Sequence, residues 1–136
     1  MIVARTDSRA GSGLDEAIAR VNEALEAGAD VAFVEAAQSL DEVAAIPRRV
    51  RGPCLLNMVS GGKTPQVCLD DAQAMGYRIS ILPGLRFRSA VACFDAALAE
   101  VQATRRMPTP IGDVAAGFRR FGMDEWNAIR DRARTK

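Results

Sequence analysis

Distinctive residues stand directly after four short apolar runs, polar ones after the first three. Arg5-Thr6-Asp7 follows Ile2–Ala4, Glu35 follows Val31–Val34, Asn57 follows Cys54–Leu56, and Pro83-Gly84 follows Ile79–Leu82. In α/β folds such positions are the carboxyl ends of strands, where ligands bind. Arg5 carries a planar fork of donors suited to a carboxylate or phosphonate. Asn57 can both donate to and accept from a ligand oxygen. Glu35 suits accepting hydrogen bonds or holding a metal-bound water. Beyond Asn57 lies the loop Ser60-Gly61-Gly62-Lys63-Thr64-Pro65. There Gly61 and Gly62 let backbone N–H groups approach an oxyanion, and the start of the next helix adds partial positive charge. Each residue also has a plainer role. Arg5 can simply pair with Asp7 or Glu35, Asn57 can satisfy loop backbone groups, Gly61-Gly62 can be a tight turn, and Lys63 can be a solvated charge. One polar group per strand end, in order, favours the functional reading.

Composition excludes several classes. The chain has 136 residues, with 18 Lys+Arg against 17 Asp+Glu for a formal net charge of +1, and no histidine. This near balance gives no electrostatic footprint for nucleic acid or an anionic membrane. Without histidine there is no Ser-His or Cys-His pair, no histidine-containing zinc site and no imidazole base. The length fits one domain but not a complete eight-fold βα barrel, which needs roughly 200 residues or more. Charges at Arg5 and Asp7 arrive before an apolar h-region could form, so no signal peptide is expected, and the most apolar stretch, Val31 to Ala37, is interrupted by Glu35. Cys54, Cys68 and Cys93 are odd in number and lack CxxC spacing. They are expected to be reduced thiols of a cytoplasmic protein, two of them packed as small hydrophobes.

The elements that must position the polar groups follow from a rhythm. The four apolar runs start about 25 residues apart, and each interval holds a helical pattern, which reads as repeated βα units with a parallel sheet. In the first interval Leu14, Ala17, Ile18, Val21, Ala24 and Leu25 share a helical face, with Ser12 and Asp15 as a capping box and Gly28 as the stop. A second helix starts at Ser39, with Glu42 three residues on, and is expected to end before Pro47. A third spans about Val67 to Met75 and stops at Gly76; a fourth spans about Phe87 to Thr104, with Val91, Phe94, Leu98 and Val101 as its stripe. The expected division is a unit of four βα repeats at 1–104 and a linker with a helical tail at 105–136. The linker, Arg105 to Gly112, contains Pro108 and Pro110. The tail holds short helices around Val114–Arg120 and Glu125–Arg134, the second capped by Asp124. Phe118, Phe121, Trp126 and Ile129 are too apolar to leave in water, so the tail must dock on its own sheet or on a neighbouring subunit.

Several segments carry a family resemblance. Val3-Ala4-Arg5-Thr6-Asp7, Gly13 to Ile18, Glu26-Ala27-Gly28-Ala29-Asp30, Phe33-Val34-Glu35-Ala36, Leu56-Asn57-Met58-Val59, Gly61-Gly62-Lys63-Thr64-Pro65, Met75-Gly76-Tyr77-Arg78 and Ile81-Leu82-Pro83 occur in order over residues 1 to about 104. Together they resemble the isocitrate lyase/phosphoenolpyruvate mutase superfamily, and within it the carboxyvinyl-carboxyphosphonate mutase and dimethylmalate lyase-like branch. The resemblance implies a (β/α)8 TIM-barrel enzyme using Mg²⁺ on small 2-oxo acids or their enolates, making or breaking C–C or P–C bonds. Arg5 resembles the arginine that holds the substrate carboxylate and supports enolate charge. Glu35 resembles the active-site glutamate near the metal-bound substrate, and Asn57, Ser60, Gly61 and Gly62 resemble the site for the substrate's second, variable group.

The resemblance also places residue 1 in the family's fifth strand. The chain is therefore expected to form the C-terminal half of the barrel, its fifth to eighth βα units, plus a tail that exchanges between subunits of a homo-oligomer. The family's Mg²⁺ ligands and its catalytic loop cysteine belong to the first four units, so no metal ligand is assigned here and Cys54, Cys68 and Cys93 do not match the lyase cysteine. Two functions remain open: part of a lyase or mutase, inactive as this chain alone, or a non-catalytic half-barrel that self-associates through its free strand edges. An unrelated four-stranded binding module fits the ordered motifs poorly.

Overall fold

The four apolar runs become four parallel strands in the computed structural model, which describes residues 1–108 and 112–134. They are β1 (Val3–Thr6), β2 (Val31–Val34), β3 (Cys54–Asn57) and β4 (Ile79–Ile81), adjacent in the order β1-β2-β3-β4. The helices are α1 (Arg9–Ser12), α2 (Leu14–Glu26), α3 (Leu40–Arg49), α4 (Leu69–Met75), α5 (Leu85–Thr104), α6 (Val114–Arg120) and α7 (Met123–Arg134). None of them is long and apolar enough to cross a membrane. The chain divides into two compact units, Met1–Ala90 and Val91–Lys136.

In the first unit, alternation along the strands separates a face packed against helices from one that carries the candidate site residues. Ala32, Val34, Cys54 and Leu56 form one core with Ala17, Ile18 and Val21 of α2, Val43 and Ile46 of α3, and Ala72 of α4. Strand residues of the other parity make a second, smaller cluster, Val31, Phe33 and Leu55 with Ile79. Register sets that second face in rows: Arg5 aligns with Phe33, Phe33 with Leu55 and Leu55 with Ile79. One step further along the strands, Asn57 aligns with Ile81. The crossover helices thus pack on one side of the sheet and leave the other side to the residues singled out for chemistry.

Several local expectations hold in detail. Ser39 caps α3, its hydroxyl accepting from the Glu42 N–H at 3.1 Å. Gly76 ends α4 in the left-handed region at φ +110°, where a side chain would be strained and its Cβ would press on Pro47.

Other expectations are corrected. Ser12 and Asp15 form no capping box: Ser12 ends the one-turn helix α1, Gly13 at φ +90° leads into α2 without a side-chain cap, and Asp15 pairs with Arg49 at 2.6 Å. The second helix does not stop before Pro47 but continues to Arg49. Pro47 lacks the N–H that would bond the Val43 carbonyl, and the buried Tyr77 hydroxyl donates to that carbonyl at 2.9 Å instead. The third helix begins at Leu69, not Val67, with the Cys68 sulfur accepting from the Asp71 N–H at 3.3 Å. Cys68 and Cys93 are exposed and Cys54 alone of the three is buried, so one thiol packs in the core rather than two. Burial pushes the Cys54 thiol up to about 11, which keeps it protonated and inert.

In the second unit α6 matches its expected span, and Asp113 caps it by accepting from the Ala115 and Ala116 N–H groups, each at 3.1 Å. Helix α7 starts at Met123, which puts Asp124 inside its first turn instead of at the cap. No residue of α5, α6 or α7 is buried. Phe94, Leu98, Phe118, Phe121, Trp126 and Ile129 all remain exposed in the single chain. Pro110 of the expected linker lies outside the described residues.

Candidate active site

Three of the anticipated residues meet on the helix-free face. Arg5 leaves β1 with its guanidinium over the Phe33 ring, 5.1 Å from the centroid. Its Nε donates to Asp7 Oδ2 at 3.0 Å and its Nη2 to Asp7 Oδ1 at 2.7 Å, while Nη2 lies 3.6 Å from Glu35 Oε2. The hydrogen bond with Asp7 raises the Arg5 pKa above its ordinary value, and the same bond holds the Asp7 carboxyl below the usual carboxylate range. Glu35 is the more enclosed carboxylate, and Asn57 Nδ2 donates to its Oε2 at 3.2 Å. The result is a continuous row, Asp7–Arg5–Glu35–Asn57, across the ends of β1, β2 and β3.

The row ends in an unsatisfied atom. Asn57 Oδ1 is buried with no hydrogen-bond partner among the described residues. Turning the amide over would set an acceptor against the Glu35 carboxylate, so this orientation is the one hydrogen bonding demands. A buried acceptor without a donor is unfavourable, and a ligand hydroxyl or other donor would satisfy it. Glu35 itself is followed by Ala36 at φ +60°, a left-handed conformation that costs a non-glycine residue about 1 kcal/mol. Backbone strain of this kind concentrates at functional sites.

The loop after Asn57 behaves differently from its expected role. Gly61 adopts φ +79°, and the Gly62 N–H donates to the Val59 carbonyl at 3.0 Å, so Gly62 does not offer that donor to an oxyanion. Gly62 is required by close approach, since a Cβ there would sit 3.1 Å from the Val59 carbonyl. Helix α4 begins well beyond the loop, at Leu69, and its start adds no partial charge there. Ser60, Gly61 and Gly62 share no hydrogen bond with Arg5, Glu35 or Asn57 among the described residues. Gln66 Nε2 donates to the Val59 carbonyl at 2.9 Å, and Arg88 Nη1 to the Ser60 carbonyl at 3.0 Å. These contacts hold the loop beside a groove of about 350 Å³ at the ends of β3 and β4, lined by Met58, Ser60, Gln66, Pro83 and Arg88 among others.

Sequence reasoning missed Phe33, Ala36, Gln66 and Arg88. The period-two alternation that joins Phe33 to Glu35 could have found the first. Nothing in the sequence flags Arg88, whose partner is a carbonyl 28 positions away.

The donor set does not make a Mg²⁺ centre. No group of three or more His, Cys, Asp or Glu converges among the described residues. At the polar row the carboxylates are Asp7 and Glu35, and both pair with the Arg5 guanidinium. A hard divalent cation wants several free oxygen ligands in octahedral geometry.

A parallel sheet with its crossover helices on one face and a polar row at its strand ends is the arrangement of part of a βα barrel. The chain belongs to the phosphoenolpyruvate phosphomutase family, whose model matches residues 1–102. It is 42% identical over 101 residues to 2-methylisocitrate lyase of Aeropyrum pernix, covering 74% of this chain and 33% of that protein. It is 47% identical over 85 residues to the chloroplastic carboxyvinyl-carboxyphosphonate phosphorylmutase of Arabidopsis thaliana, covering 60% of this chain and 25% of that protein. The crystal structure of 2,3-dimethylmalate lyase, a PEP mutase/isocitrate lyase superfamily member, superposes with a TM-score of 0.87 at 33% identity, over 98% of this chain and 47% of that one. The chain thus spans about a third of the length of the curated relative from Aeropyrum pernix and about half of the solved one. Four strands with helices on one face are what half of an eight-stranded barrel requires.

Proposed function

We propose that this chain carries the carboxylate-recognition part of a lyase or mutase active site that makes or breaks a C–C or P–C bond beside a small 2-oxo acid or its enolate. The observation that carries the reading is the row Arg5–Glu35–Asn57 on the helix-free face, ending in a buried, unpaired Asn57 Oδ1. Arg5 supplies a bidentate fork for the ligand carboxylate and positive charge beside a developing enolate oxygen. Glu35 fixes the Arg5 and Asn57 side chains between them. Asn57 Oδ1 accepts from a hydroxyl of the ligand, and the Ser60–Gly62 loop borders the space for its variable end. The family resemblance implies Mg²⁺, and the described residues do not assemble its ligands. By itself the chain binds a carboxylate but does not turn over. The protein acts in the cytoplasm and assembles as a homo-oligomer through its exposed C-terminal helices, Phe118, Phe121 and Trp126 being covered by exchange between subunits.

A second reading, a non-catalytic half-barrel that self-associates, is favoured by one observation. Among the described residues β1 pairs only with β2 and β4 only with β3, so both outer edges are open to another strand.

Thermal unfolding with oxalate, a planar enolate mimic, tests the first reading. At about 100 times its Kd, oxalate stabilises the chain by about 2.7 kcal/mol, and Arg5→Ala removes the shift. An undiminished shift in Arg5→Ala overturns the role of Arg5, and turnover of 2-methylisocitrate, 2,3-dimethylmalate, oxaloacetate or a phosphonopyruvate by the chain alone overturns its inactivity.

A further inference from the structure

The Arg5 fork is already filled. Asp7 Oδ1 and Oδ2 take Nη2 and Nε side by side, at 2.7 and 3.0 Å, which is the two-point geometry a ligand carboxylate would adopt. Phe33 covers one face of the guanidinium and Glu35 stands beyond Nη2, so the Asp7 edge is the one turned to a ligand. One guanidinium between two carboxylates leaves the cluster with a formal charge of −1, so an incoming carboxylate meets net repulsion for as long as Asp7 stays. Asp7 is also built to leave. Its side chain is 66% exposed, and among the described residues Arg5 is the sole side-chain partner of its carboxylate. Contrast Glu42, which is 20% exposed and accepts from Arg9 twice and from the Gln38 N–H. That carboxylate is fixed in place; Asp7 is tethered by a single ion pair in high-dielectric surroundings.

We infer that Asp7 is a built-in competitor for the ligand carboxylate, occupying Arg5 in the free chain and swinging out when a carboxylate binds. The inference rests on the reading of Arg5 as the carboxylate holder and deepens it: ligands that offer Arg5 only one weak oxygen fail to displace Asp7, so the residue screens for carboxylates that match the fork. The apparent affinity is lowered by the fraction of molecules in which Asp7 is out, and removing Asp7 restores it.

Titration calorimetry of the 136-residue chain with sodium oxalate tests this in wild type, Asp7→Asn, Asp7→Ala, Arg5→Ala and the double variant Arg5→Ala/Asp7→Ala. Both Asp7 variants are expected to bind oxalate about tenfold more tightly than wild type. Arg5→Ala and the double variant should bind alike, because competition for Arg5 disappears with Arg5, whereas a general effect of charge near the site survives. Weaker or equal binding by both Asp7 variants, with binding still lost in Arg5→Ala, overturns the competitor role and makes Asp7 a positioning residue, leaving the reading of Arg5 intact. Undiminished binding in Arg5→Ala overturns that reading and the inference with it. Circular dichroism of each variant confirms that it is folded.

Discussion

The first unit and the C-terminal helices use the same currency, apolar stripes at helical spacing, with opposite outcomes. Ile18, Val21, Val43, Ile46 and Ala72 are buried against the sheet, while Phe94, Leu98, Phe118 and Trp126 stay exposed. The difference lies in the partner, not in the helix. Helices α2, α3 and α4 bury their apolar residues in one cluster with Ala32, Val34, Cys54 and Leu56 of the strands, and α5, α6 and α7 have no buried residue at all. Apolar periodicity therefore certifies a helix and its sided character, and a second surface is needed before it contributes stability.

Substitutions can break or sharpen that contrast. The largest effect is expected at Ile18: Ile18→Ala should lower stability by about 2–5 kcal/mol, whereas Trp126→Ala should stay within about 0.5 kcal/mol. Urea midpoints measured at low protein concentration decide; an equal loss at Trp126 would mean that the tail is packed in solution. Next comes Tyr77→Phe. It leaves the Val43 carbonyl without the donor that compensates for Pro47 and should cost about 1–3 kcal/mol, read from the same transitions.

Helix caps give a smaller and more discriminating test. Ser39→Ala should lower global stability by about 1 kcal/mol. Asp113→Ala removes an equivalent cap from α6, and it should reduce far-UV helicity while leaving the urea midpoint of the first unit unchanged. The smallest effect concerns pH. The Arg9 guanidinium holds the Glu42 carboxyl below its ordinary 4.5, so the pair's contribution is fully present above that value and is lost as pH falls through the folded-state pKa. The stability difference between wild type and Glu42→Gln should therefore be constant near neutrality and close as pH falls through the lowered folded-state pKa of Glu42. A difference that persists in acid would assign the effect of Glu42 to packing.

Much of this architecture was legible because its causes are local. Four apolar runs with helical intervals give parallel strands by necessity of the crossover, and Ser39 and Gly76 act within a few residues of themselves. What escaped depends on distant partners. The extension of α3 through Pro47 needs the Tyr77 hydroxyl, which comes from beyond β3. The one-turn helix α1 has too few residues for periodicity, and its presence turns Ser12 from a cap into a helix end. In the candidate site, Arg5, Glu35 and Asn57 were singled out because each follows an apolar run, and the structure brings those three side chains together. The Gly62 N–H was misassigned because its acceptor, the Val59 carbonyl, depends on loop geometry that no spacing rule reports. Arg88 was missed for the same reason.

The separation of parities along the strands has one more consequence. Ala32 and Val34 hold the core while Phe33 and Glu35 face the site, and Cys54 and Leu56 alternate in the same way with Leu55 and Asn57. Chemistry and folding are thus written on interleaved letters of the same words. Exchanging a polar site letter such as Glu35 or Asn57 changes what is recognised without touching either apolar cluster, so descendants of one ancestor can drift toward different reactions at little risk to the fold. Losing a single letter from a strand instead turns every later side chain to the opposite face. Point substitutions are open to such a lineage, and single-residue deletions within strands are closed to it.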